Sequence, residues 1–254
     1  MSEILTSTDA GIMTLTLNRV DKKNSITSAM YTAMADALQC AAADKAVRVF
    51  IFQGHESVFC AGNDIGDFLN APPSRENSPV FRFLQGIASF PKPMVGAVCG
   101  AAVGVGTTLL LHCDLVYAGD NAVFTLPFVN LGICPEAGSS LLLPQMIGFH
   151  RAAEALLLGE SFKADAALAM GFVNRVVPAA EANALAQTQA RKLASKPMSA
   201  LLETKRLMKK AQGALVAQQM TDEGATFSRM LHEPAAKEAL TAFMEKRKPD
   251  FSRF

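Results

Sequence analysis

Apolar residues follow two periods along this chain, and the passage from one to the other marks its organisation. Over 12–18, Met13, Leu15 and Leu17 alternate with Thr14 and Thr16, the spacing of a strand with one wetter face. The polar turn Asn18-Arg19-Val20-Asp21 ends it. Over 28–43, Met30, Ala33, Met34, Ala37, Leu38 and Ala41 recur at helical spacing behind Thr27, a residue type that caps helix N-termini. The β-branched and aromatic run 47–52 stops at Gln53-Gly54 and reads as a buried strand.

The stretch 66–79, with Pro72, Pro73, Ser74, Asn77 and Ser78, breaks both periods and predicts a long surface loop of the kind that covers sites. A helix over 80–90 follows, stopped by Pro91-Lys92-Pro93, and then an interior strand over 94–99. A Gly104-Val105-Gly106 turn, a short helix over 107–112 and strands over 115–118 and 122–125 come next. Beyond 139 helical spacing prevails, over 140–147, 151–158, 164–170, 181–195, 198–211, 215–230 and 235–246. Pro197 and Pro234 fall at helix starts, where proline is tolerated. The expected fold class is α/β, with a mixed core over 1–195 and a helical region over 196–254.

Composition narrows function mainly by exclusion. Half of the 254 residues are hydrophobic, ample for a large core. A net charge of +1 gives no overall field to draw nucleic acid or a membrane surface, so neither is an expected partner, and any anionic ligand must meet local cations. No apolar run is long enough to span a bilayer, and no basic segment with an apolar run opens the chain, so the expected location is cytoplasmic. Cys40, Cys60, Cys99, Cys113 and Cys134 form no C-x-x-C pair and lie mostly in apolar runs, which predicts reduced, buried thiols. His55, His112, His150 and His232 lack metal-ligand spacing, so no metal is expected.

One carboxylate stands apart. Glu136 lies in the Gly/Pro-rich stretch 126–143, where Ile133, Cys134, Pro135, Ala137 and Gly138 offer no countercharge. A carboxyl desolvated among such neighbours has its pKa raised from about 4.3 towards the range useful for proton transfer. Taken alone, Glu136 also reads as a solvated loop glutamate, the commoner case. Two glycine turns shift that balance. Gly104-Val105-Gly106 opens a helix with N–H groups that lack intrahelical partners, which can hold an oxyanion or phosphate, or the glycines serve close packing alone. Ala61-Gly62-Asn63-Asp64 is a second such turn. A dinucleotide fingerprint fails, since Leu109 stands where its third glycine belongs, and neither Walker A nor G-x-S-x-G occurs. Lys22-Lys23 and the group Lys205, Arg206, Lys209 and Lys210 are either solvated surface or phosphate contacts.

In order and spacing, NRVDKKNSIT (18–27), FCAGNDI (59–65) and the segment 100–138 from GAAVGVGTT to NLGICPEAG resemble the motifs of the crotonase, or enoyl-CoA hydratase/isomerase, superfamily along essentially the whole chain. The resemblance implies a spiral of ββα units, with a helical C-terminal region that assembles a homotrimer or hexamer. It implies an acyl-CoA thioester as substrate, with coenzyme A part of that substrate and no separate cofactor. Carried over by position, the thioester oxygen is held by the backbone N–H groups of Asn63 and Val105. Ala61, Gly62, Asp64, Ile65, Gly104, Gly106 and Phe128 surround the substrate, with Lys22 and Lys23 near its phosphates.

The departures from the family pattern bear on the reaction. Hydratases of this family orient a water with two glutamates, and the matching positions here are Thr108 and Phe128. Glu136 instead matches the single glutamate of the Δ3,Δ2-enoyl-CoA isomerases, and PFVNLGICPEAGSS looks like their peroxisomal-type branch. The expected function is Δ3,Δ2-enoyl-CoA isomerisation, with Glu136 carrying the proton through an oxyanion-stabilised dienolate. Hydratase-like or other crotonase-family chemistry, and acyl-CoA binding without catalysis, are the alternatives.

Overall fold

The computed structural model describes residues 2–70 and 78–254. Strands β1 (Ile4–Asp9) and β2 (Ile12–Leu17) form an antiparallel hairpin through Ala10 and Gly11, both at positive φ, as a two-residue turn matched to strand twist requires. Helix α1 (Ser28–Ala43) starts where expected, with Thr27 Oγ1 accepting from Met30 N at 3.2 Å.

Three strand pairs follow, each succeeded by helix: β3 (Val49–Gln53) and β4 (Val58–Cys60) before α2 (Ile65–Asn70) and α3 (Pro79–Ser89); β5 (Met94–Val98) and β6 (Ala101–Val103) before α4 (Val105–Thr108); β7 (Leu115–Gly119) and β8 (Val123–Thr125) before α5 (Ser139–Ile147). In every pair the first strand joins one sheet and the second joins another. With β9 (Phe162–Lys163) and β10 (Arg175–Val177), the six-stranded sheet runs β1-β2-β3-β5-β7-β10 and the four-stranded sheet runs β4-β6-β8-β9. Each ββα unit therefore advances one parallel step in both sheets, which is the expected spiral.

Helices α6 (Phe149–Ala153) and α7 (Ala164–Ala169) follow α5, and four longer ones complete the chain: α8 (Ala179–Ala194), α9 (Met198–Lys210), α10 (Gly213–Met230) and α11 (Pro234–Met244). Alternate residues of β3 explain its unbroken apolar run. Phe50 and Phe52 enter the main core with Met34, Phe83 and Phe90, while Val49 and Ile51 pack with Ala186 and Ala190 of α8 on the other face. The same helix covers the face of β2 expected to be wetter. Thr14 is buried there, and its hydroxyl accepts from Gln187 Nε2 at 2.8 Å.

Most boundaries shift by one or two residues, and three expected elements differ more. The expected helix over 107–112 is α4 followed by a tighter turn, Leu109–His112, and that over 151–158 is α6 followed by a wider turn, Glu154–Leu158. The expected loop 66–79 begins inside α2, and its residues 71–77 lie outside the described residues. The helical region meets the core through charge. Lys205 of α9 is buried and bonds Asp114 at 2.6 Å and the Lys92 carbonyl at 2.7 Å. Removing one partner of such a buried pair costs about 3–5 kcal/mol. No described helix is long and apolar enough to cross a membrane.

Candidate active site

The two glycine turns meet because β4 and β6 are parallel neighbours, with Cys60 paired to Ala102, so the chain leaves both strands at the same end. A methyl group on Gly106 would sit 2.8 Å from Cys60 Cβ, and one on Gly62, at φ 88°, would sit 3.2 Å from the Val103 carbonyl oxygen. Only glycine permits that approach. Asn63 and Val105 are thereby carried on adjoining turns. Val105 opens α4 behind Gly104, and its N–H, as the first of the helix, has no intrahelical acceptor. Neither the Asn63 amide nor the Val105 amide donates to an acceptor among the described residues.

The N-terminal motif is stitched to the first of these turns. Ala61 N donates to Lys23 O, Ile26 N to Gly62 O, and Asp64 N to Ile26 O, at 3.0, 2.8 and 2.9 Å. Asp64 pairs with Arg19 at 2.7 Å, and that bond holds its carboxyl below its ordinary value. It is an ionised anchor. Lys22 and Lys23 stand exposed on the stitched segment, and Ile65 begins α2 just beyond it.

A cavity of about 1090 Å³, at the upper end of ordinary ligand-site volumes, lies between α3, α5 and α10. Its apolar lining includes Val80, Leu84, Leu142, Met146, Val216 and Met220, and Asn63 and Glu136 share it. Phe128 is buried in the main core and is not among the lining residues. Of the second cation group, Lys209 lines the cavity and Arg206 pairs with Glu203 on the surface. Lys205, committed to Asp114 inside the protein, is not available to a phosphate.

Glu136 has the environment its neighbours predict. It is half-buried, and Thr108 Oγ1 donates to its Oε1 at 2.5 Å. Burial raises its pKa to about 8, aided by the nearby charge of Glu223 and opposed by the Thr108 hydrogen bond. The other carboxylate lining the cavity, Asp114, is paired with Lys205. Glu136 is therefore the cavity's one carboxylate without a cation among the described residues.

The turn that carries it is fixed at several points. Ala137 and Gly138 both have positive φ, 61° and 71°. His112 is buried, and its Nε2–H donates to the Ala137 carbonyl at 2.7 Å. Burial lowers the His112 pKa to about 4, which keeps the ring neutral, with its proton on Nε2.

Pattern reasoning did not single out Tyr31. It occupies a core-facing position of α1, where an aromatic residue looks like packing, yet its hydroxyl donates to Asn63 Oδ1 at 2.6 Å and it lines the cavity. Burial, with the charge of Glu136 close by, pushes its phenol well above the ordinary value, so it remains a neutral donor. Burial also raises Cys60 to about 12 and Cys134 to about 11, as unreactive thiols require, whereas Cys40 is exposed. Among the described residues no group of side chains could hold a metal ion.

Comparison with known proteins gives the chain's family. Residues 7–253 match the family model described as Enoyl-CoA hydratase/isomerase. The chain is 32% identical to the 2,3-dehydroadipyl-CoA hydratase of Escherichia coli (strain K12), over 99% of each chain. It is 38% identical to the Enoyl-CoA delta isomerase 2 of Rattus norvegicus over 82% of its length, but spans only 54% of that longer protein. The structure of OdaA from Pseudomonas aeruginosa superposes with a TM-score of 0.94 at 48% identity, covering 96% of this chain and 99% of the other.

Proposed function

Because the chain belongs to the enoyl-CoA hydratase/isomerase family, we propose that it acts on an acyl-CoA thioester as a Δ3,Δ2-enoyl-CoA isomerase with Glu136 as its proton carrier. One observation carries the reading. The carboxyl raised to about 8 is bonded by Thr108, at the position where the resemblance puts a hydratase glutamate. Moving a double bond from C3 to C2 removes a proton from C2, leaves a dienolate, and returns a proton at C4. A single carboxyl placed between the two carbons performs both transfers, and no water enters.

The negative charge that develops on the thioester oxygen meets the two unpaired amides of Asn63 and Val105. Because those amides are set by backbone packing, they need no reorganisation as charge develops. Glu136 Oε1 is held by Thr108, and Oε2 has no protein donor among the described residues, which leaves it for the substrate.

The full-length hydratase relative supports a second reading, in which 2-enoyl-CoA is hydrated. A panel of 3-enoyl-CoA and 2-enoyl-CoA esters separates the two. Isomerisation predicts that 3-enoyl-CoA is converted to 2-enoyl-CoA, which then persists. Steady loss of 2-enoyl-CoA to a hydroxyacyl product would establish the hydratase reading, and turnover of neither ester would leave other crotonase-family chemistry or acyl-CoA binding without catalysis.

We also propose assembly as a homotrimer or hexamer. Phe149, Leu157 and Leu158 are 71%, 70% and 56% exposed, and Phe243 and Met244 of α11 are each 59% exposed. Large apolar side chains left this exposed favour contact with another chain. Light scattering should give three or six times the 27.0 kDa chain mass, and a monomer mass would sink the idea.

A further inference from the structure

Helix α10 makes five hydrogen bonds to the segment that carries Glu136. The Glu223 carboxylate, buried at 5% exposure, accepts from Gly138 N at 2.6 Å, from Ser140 N at 3.0 Å and from Ser140 Oγ at 2.5 Å. Its own carbonyl accepts from Cys134 Sγ at 3.6 Å. One turn earlier on α10, Gln219 Nε2 donates to Ser140 Oγ at 2.8 Å. Gly138 packs so tightly under this helix that a methyl group there would meet Val216 and Met220 at 3.3 and 3.4 Å.

The contacts straddle the base, with Cys134 two residues before it and Gly138 and Ser140 two and four after it. Ordinary helix capping does not account for all of this. The N-terminal N–H groups of α5 do gain a negative partner, as helix ends favour, but a local Ser or Asp would provide that without burying a charge from another helix. A carboxylate taken out of water costs several kcal/mol unless its lone pairs are met, and here three donors meet them.

We propose that Glu223 is a positioning residue for Glu136: it holds the 134–140 turn in the one conformation that aims the base carboxyl into the cavity. This rests on the reading of Glu136 as the proton carrier. Residues of the same helix, Val216 and Met220 among them, line the cavity, so an acyl chain lying against α10 touches the element that fixes the base.

The charge of Glu223 has a second effect. Around Glu136 stand Thr108 from α4, Tyr31 from α1, Cys134 on its own turn and Glu223 from α10, and His112 holds the adjacent Ala137. Burial raises the Glu223 pKa, but its three donors favour the ionised form. Tyr31 and Cys134 are neutral at working pH, so Glu223 is the charged neighbour in this set, and it disfavours ionisation of the base.

The test is steady-state kinetics across pH on the full chain carrying Glu223→Gln, with the parent and Glu136→Gln in parallel. Glu223→Gln keeps the shape but puts an amide N–H against a backbone N–H, and it removes the charge. A tenfold to hundredfold fall in kcat is expected, with KM changed much less, since a displacement of about 1 Å can cost a hundredfold. The midpoint of the kcat/KM profile should also move towards acid. Glu223→Asp, which keeps the charge but falls short of the turn, should lose kcat while retaining the parent midpoint.

Parent kcat in folded Glu223→Gln overturns the proposal. So does a lower kcat with an unmoved midpoint, the mark of a merely structural residue. Should that variant fail to fold, Ser140→Ala removes the shortest bond to the carboxylate but leaves its charge, so it should lower kcat by a smaller factor with KM and the midpoint near the parent values; parent kcat there overturns the proposal equally. Retained turnover in Glu136→Gln would instead remove the base reading itself.

Discussion

Glu136→Gln should lower the proposed isomerisation by a factor of about 10² to 10⁴, the range for loss of a general base, while acyl-CoA still binds. The amide preserves the shape and can still accept from Thr108 Oγ1, but it cannot take a proton from C2. In the free parent the base must be deprotonated to act, so kcat/KM should rise with pH and level off above about 8.

The same carboxyl ties stability to pH. In the unfolded chain it ionises near 4.5, and in the folded protein near 8, so between those values the folded state holds a proton that the unfolded chain has lost. Its contribution to stability is complete below about 4.5 and is lost as pH rises through about 8. The glutamine variant carries no such proton. It should match the parent near pH 4 and exceed it at pH 9 by on the order of a few kcal/mol in denaturant unfolding. Turnover near the parent value would remove Glu136 as the base, and a stability difference that ignores pH would mean its carboxyl is well solvated when folded.

What the chain's pattern made legible depended on how local the cause was. Within the run 47–52, Val49–Phe52 of β3 are buried on both sides, and their composition says so because each meets apolar neighbours whichever way it points. Glu136, Gly62 and Gly104-Val105-Gly106 were legible for a similar reason, since their chemistry is set by adjacent residues and by backbone freedom.

Features created by contact across long stretches of sequence were not. Thr14 looked solvent-facing because the helix that covers it lies 173 residues on, at Gln187. Lys205 reads as solvated surface or a phosphate contact and Glu223 as one more helical residue, yet one is buried on Asp114 and the other on the turn that carries Glu136, 91 and 85 residues away. A buried charge and a surface charge look alike until the partner is placed. Tyr31 is the converse, a polar group concealed in an apolar stripe because its hydroxyl finds Asn63 only once the turn after β4 is bridged to Ile26, just ahead of α1.

The proposed oxyanion donors call for a backbone change, because no side chain is involved in that role, and Val105→Pro is the cleanest one available. Val105 is the first residue of α4, the helical position where proline is best tolerated. The residue before a proline must avoid the helical region, and Gly104, at φ 53° and ψ −119°, is the mirror image of an extended conformation and has no Cβ to clash with the ring. Gly104 itself stays anchored through its N–H to the Thr125 carbonyl at 2.9 Å. The substitution therefore deletes one N–H that has no partner in the free protein, and it also trims a buried side chain, a packing loss that the alanine control shares. A donor aimed at developing charge is worth about 3–4 kcal/mol, so kcat should fall by about 10² to 10³. Val105→Ala, which keeps the amide, serves as the control and should remain within about tenfold of the parent. A folded proline variant with the control's turnover would show that the Val105 amide does not hold the thioester oxygen, and Asn63→Pro would then decide whether the first turn does so alone.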